Sequence, residues 1–99
     1  MRLSPRSRDI IRSVAREIFG PGASVRLFGS RVDDRARGGD IDLLVELPQA
    51  VEDRNRKALR MVARLQQELG DQPFDVLVLD PTTSQQPIHR QARRTGIEI

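Results

Sequence analysis

Ninety-nine residues, 37% of them hydrophobic and 3% aromatic with a net charge of +3, give room for one domain over 1–99 around a small aliphatic core, and none for a second lobe. With no cysteine in the chain, disulfides, thiolate zinc sites and cysteine nucleophiles are excluded. No stretch approaches the ~18 apolar residues of a membrane span, and the opening MRLSPRSRD lacks a signal-peptide core, so the cytoplasm is the expected compartment. Among the 17 basic residues Lys57 is the only lysine. Arginine's planar fork suits phosphate and carboxylate, although codon usage explains most of these positions equally well. Acids and bases alternate along the chain instead of forming a basic block, which argues against direct nucleic-acid binding.

Ser4-Pro5 reads as a helix start, serine as N-cap and proline in the first turn. Ile10, Ile11, Val14, Ala15, Ile18 and Phe19 then form one apolar stripe, and Gly20-Pro21-Gly22 ends the helix. Ser24 to Phe28 reads as a short strand running into Gly29-Ser30, and residues 31–39 as a polar loop or short exposed helix. Asp40 to Leu47 alternates Ile41, Leu43, Val45 and Leu47 with Asp40, Asp42, Leu44 and Glu46, the period of a strand. A second helix is expected over Val51 to Leu69, with Leu59, Val62, Leu65 and Leu69 buried and Gly70 beyond its end. Phe74 to Leu79 is a third strand, closed by Pro81. Pro87 to Thr95 forms a short tail helix, followed by Ile97-Glu98-Ile99 as a candidate edge strand. This order predicts an α/β (α+β) domain with helices packed on a small mixed sheet.

The chemistry concentrates in LFGSRVDDRARGGDIDLLVEL, residues 27–47. Asp40 and Asp42, two apart on a strand, leave the same face with Cα atoms ~6.6 Å apart. Such a pair can share hard cations, and Mg²⁺ suits it because it takes oxygen ligands and keeps waters or phosphates in its shell. A solvated outer strand face explains an isolated DxD equally well. Gly29-Ser30 ends the preceding strand, where glycine permits close backbone approach and the N–H and hydroxyl groups can hold phosphate; Arg31 adds a charge. By themselves these two residues also fit an ordinary turn. Asp75 interrupts the apolar run of the third strand, a costly position in a central strand unless paired or coordinating metal. Asp80, an odd number of residues further on, faces the other way and reads as a turn cap. No Walker-type phosphate loop occurs, and His89, the only histidine, falls in the tail helix as a surface or partner-facing residue.

Taken together, the hydrophobic-Gly-Ser, the nine-residue spacer, the DID strand and the later FDVLVLD resemble the DNA polymerase β-like nucleotidyltransferase superfamily. Within it, GSR…GGDIDLLV in about 100 residues is most similar to the minimal nucleotidyltransferase (MNT) proteins. The resemblance implies the nucleotidyltransferase fold and a reaction using two Mg²⁺ ions, with ATP as nucleotide substrate. Gly29 and Ser30 would hold the β- and γ-phosphates, and Asp40 and Asp42 would bridge the metals. Asp75 would be a further metal ligand and an aid to deprotonating the acceptor. It also implies transfer of AMP to a hydroxyl acceptor, a tyrosine of a HEPN-domain toxin whose antitoxin this chain would be.

The alternative is a non-catalytic antitoxin on the same fold that neutralises its partner by contact. Ile88, Ile97 and Ile99 are the candidate docking patch, equally able to cap the core or form a self-association edge that makes a homo-oligomer.

Overall fold

The computed structural model describes residues 3–28, 41–70, 72–83 and 86–99. The chain begins with helix α1, Pro5–Phe19, whose N-cap Ser4 accepts a hydrogen bond from the Ser7 N–H at 3.1 Å. Ile11, Val14, Ala15 and Ile18 form its buried face. Gly20 then takes φ 102°, a left-handed-side conformation that side-chain-bearing residues rarely adopt, and turns the chain back. Strand β1, Ser24–Phe28, follows, then β2, Ile41–Glu46. Helix α2, Arg54–Leu69, leads to β3, Phe74–Leu79, then α3, Pro87–Thr95, and β4, Ile97–Glu98.

The four strands form one sheet in the order β3-β2-β1-β4. Strands β2 and β3 are parallel, with α2 as the crossover that parallel neighbours need. Strand β1 is antiparallel to both β2 and β4. Alternation divides the sheet into two faces. Val25, Leu27, Ile41, Leu43, Val45 and Phe74 point toward α1 and α2 and share a core with Met61 and Leu65. Phe28, Leu44 and Leu79 point the opposite way and pack with Ala92 of α3. Leu43, Leu44 and Val45 are all fully buried, so the middle of β2 is covered on both faces. That explains its unbroken apolar run, despite the alternation of facing side chains.

Three expectations fail in the helices. Leu59 is 70% exposed, and Met61 takes its place in the core. On a 3.6-residue repeat, Met61, Val62, Leu65 and Leu69 form one stripe, and Leu59 lies about 200° from Met61, on the outer side. Helix α2 also starts at Arg54, three residues later than Val51, because Asp53 adopts a left-handed conformation (φ 56°) immediately before it. His89 is buried at 8% exposure, neither surface nor partner-facing. Its Nδ1 accepts the Gln86 N–H at 2.9 Å, which ties down the first turn of α3.

The tail behaves as the sequence suggested. Strand β4 pairs with β1 through Arg26↔Glu98 and Leu27↔Ile97. Ile88 and Ile97 are exposed, whereas Ile99 packs against the larger core. The junction of α3 and β4 depends on Gly96: a Cβ there would collide with the Ala92 carbonyl and crowd the Leu27 carbonyl and Arg26 Cβ. No helix of the described residues is long and apolar enough to cross a membrane.

Candidate active site

Phe28, Asp42 and Asp75 occupy one row across three strands, through the pairings Phe28↔Asp42 and Asp42↔Asp75. In-register residues of neighbouring strands share a face and lie ~4.8 Å apart. The two aspartates therefore sit side by side on the face that also carries Leu44 and α3. Each is flanked by residues that fix it there: Ile41 and Leu43 around Asp42, and Phe74 ahead of Asp75, turn into the opposite core.

Asp42 is half-buried and Asp75 exposed. Strand β3 is an edge strand of the sheet, not a central one. Burial therefore does not explain Asp75; its neighbour does. Gly29, Ser30, Arg31 and Asp40 lie outside the described residues, as does the 31–39 segment. Of the three predicted carboxylates the structure thus describes two and brings them together. Among the described residues, no group of three or more His, Asp or Glu side chains gathers where it could hold a metal.

The other acid of β3's run lies at its far end and behaves differently. Asp80 is 4% exposed. Its Oδ1 accepts from Arg54 Nη1 at 2.9 Å, from the Thr82 N–H at 2.9 Å, and from the hydroxyls of Thr82 and Thr83 at 2.7 and 3.0 Å. Its Oδ2 accepts the Val51 N–H at 3.1 Å. The Thr82 hydroxyl, opposed by desolvation but joined by the Val51 and Thr83 bonds, holds the carboxyl well below the ordinary aspartate range. The turn-cap reading was right in kind. That this cap is buried and ties the entry of α2 to the exit of β3 is decided by tertiary contacts.

A third cluster escaped the sequence reading. Arg26 Nε donates to Glu46 Oε1 at 2.9 Å, and Arg93 Nε approaches Glu46 Oε2 at 3.4 Å. The spacing of Arg90, Arg93 and Arg94 could have flagged one basic face of a helix, but only the fold brings Arg26 up to it.

The nucleotidyltransferase domain signature matches residues 8–96, nearly the whole chain, from within α1 through α3 and including β1, β2 and β3. The chain belongs to the nucleotidyltransferase domain family. No curated protein matches it at a significant level. The small α+β architecture with its four-stranded mixed sheet is that of a nucleotidyltransferase fold, and the family assignment places the chain among nucleotide-transferring domains.

Nucleotidyltransferase domains generally use a nucleoside triphosphate and a divalent metal. The donor chemistry of this site fits such a cation. Asp42 and Asp75 offer hard carboxylate oxygens from adjacent strands, the ligand type that Mg²⁺ takes while retaining water or phosphate in its remaining positions.

Proposed function

We propose that this nucleotidyltransferase moves AMP from ATP to a hydroxyl acceptor, with a tyrosine of a HEPN-type partner as that acceptor and the chain acting as its antitoxin. The observation that carries the catalytic part is the Asp42↔Asp75 register on one face of parallel neighbouring strands. The finer part rests on the similarity of the GSR…GGDIDLLV stretch to the minimal nucleotidyltransferases.

In this reading Asp40, Asp42 and Asp75 hold two Mg²⁺ ions, which would neutralise charge on the attacking and leaving oxygens. Gly29 and Ser30 bind the triphosphate tail through backbone N–H groups and the serine hydroxyl, with Arg31 alongside. Asp75, exposed on the edge strand, receives the proton of the acceptor hydroxyl. The acceptor oxygen then forms a bond to the α-phosphorus as the bond to pyrophosphate breaks, and pyrophosphate leaves. The chain's contribution is chiefly alignment and charge compensation, as in phosphoryl transfer generally.

The test is incubation with α-labelled ATP, Mg²⁺ and a purified HEPN-domain protein, comparing the native chain with Asp42→Asn and Asp75→Asn. The proposal expects label on the partner's tyrosine and its loss in both variants. Equal labelling by the variants would refute the catalytic assignment. Neutralisation of the partner by all three proteins without any labelling would make the chain a contact-only antitoxin.

A further inference from the structure

Beside α3, on the sheet face that carries Asp42 and Asp75, lies an open groove of about 330 Å³ lined by Arg26, Arg90, Arg93 and Arg94. We propose that this groove binds the phosphodiester backbone of a nucleic acid, a ligand beyond the transfer reaction argued above.

The convergence is a product of the fold. Arg90, Arg93 and Arg94 are spaced i, i+3 and i+4 on α3 and so share a helix face. Arg26 rises toward them from β1, brought close by the tight Gly96 junction, where Arg26 Cβ lies against the helix exit. The carboxylate ion-paired here among the described residues is Glu46, shared between Arg26 and Arg93. Among the described residues Arg90 and Arg94 have no acidic partner, and both are exposed. Four guanidinium groups outnumber the neighbouring carboxylates Glu46 and Glu98 among the described residues, which leaves the groove positive. Basic residues in a helix's last turn complement the macrodipole, which accounts for Arg93 and Arg94. It does not account for Arg90 in the helix's first half or for Arg26 on the strand.

The lining selects among anions. Guanidinium forks pair bidentately with phosphate. Among the described residues no apolar or aromatic side chain lines the groove. A protein partner would ordinarily need a buried apolar anchor at the centre of its contact, and base readout on single strands would need stacking platforms. A polyphosphate backbone needs neither, since its affinity comes from charge neutralisation and counterion release. The expected binding is therefore salt-sensitive and indifferent to sequence.

Fluorescence anisotropy with a fluorescein-labelled uridine decamer tests the proposal on the full chain. Arg90→Ala/Arg94→Ala should weaken binding at least tenfold and lower the slope of log affinity against log salt by ~1.4, at ~0.7 per phosphate contact. Arg90→Lys/Arg94→Lys should fall between the two, keeping charge without the fork. The charge-matched Arg6→Ala/Arg60→Ala, on the helices that cover the other sheet face, should bind as the native chain does. Equal weakening by both alanine pairs would overturn the groove as the site. A decaglutamate peptide bound as tightly as the decamer would overturn phosphate chemistry. Full competition by equimolar inorganic triphosphate would overturn the backbone in favour of a compact anion.

Discussion

Asp75 and Asp80 lie at opposite ends of the β3 run, and the contrast between them separates a carboxylate partnered within the fold from the one we propose for chemistry. Asp80 is buried and its oxygens are filled by Arg54, two threonine hydroxyls and two backbone N–H groups. At 4% exposure it is closed to a ligand from solvent. Asp75 is exposed, makes no side-chain hydrogen bond or ion pair among the described residues, and stands in register with Asp42. The Asp80 cluster ties together the chain before α2 and after β3, whereas Asp75 stands exposed on the edge strand. Two carboxylates side by side favour a cation between them, whereas Asp80 has Arg54 as its counter-charge within the fold.

Exchanging the two behaviours by mutation tests this contrast most severely. Asp42→Asn and Asp75→Asn should each lower nucleotidyl transfer at least ~100-fold, because even outer-shell partners of metal ligands are worth ~10–100-fold. Asp75→Asn should leave Tm where it was. Asp80→Asn should do the opposite, lowering Tm while leaving transfer near the native rate at temperatures where the variant is folded. It strips the Arg54 guanidinium of its counter-charge and leaves the amide unable to satisfy every donor. A thermally silent Asp80→Asn, or an Asp75→Asn that transfers normally, would erase the distinction.

Acid titration tests the Asp80 side of the contrast. Asp80 has its carboxyl depressed in the fold, so its contribution to stability is fully present above the ordinary value of 3.8. It is lost progressively as pH falls below that value toward the native one. Denaturant midpoints measured from pH 6 down to pH 2 should therefore fall through that window, and less steeply in Asp80→Asn.

Smaller effects sharpen the helix assignments. Leu65→Ala removes a fully buried side chain and should cost ~2–5 kcal/mol, visible as a fall in Tm of ~8 °C or more in a domain of this size. His89→Ala should cost ~1 kcal/mol by releasing the Gln86 N–H. Leu59→Ala should change stability by less than ~0.5 kcal/mol, because its side chain is already in water. A Leu59→Ala penalty equal to that of Leu65→Ala would restore the sequence-based assignment of the buried face of α2.

Period and punctuation determined much of this protein from the sequence alone. Ser4-Pro5 and Gly20 bounded α1, alternation from Asp40 to Leu47 marked β2, which is described over Ile41–Glu46, and the bounds of β1, β3 and α3 coincide with their sequence-derived limits. These signals are local, set by backbone dihedral preferences and by which side chains repeat on one face. The tertiary structure decided the rest. Strand order made β3 an edge and so removed burial as the reason for Asp75, while register supplied a better one. The angular position of Leu59 on α2, the sequestering of His89 and Asp80, and the meeting of Arg26 with α3 all depend on contacts between residues distant in sequence. Local pattern carries no record of such contacts, because the free energy that selects them is released only when whole faces are buried together.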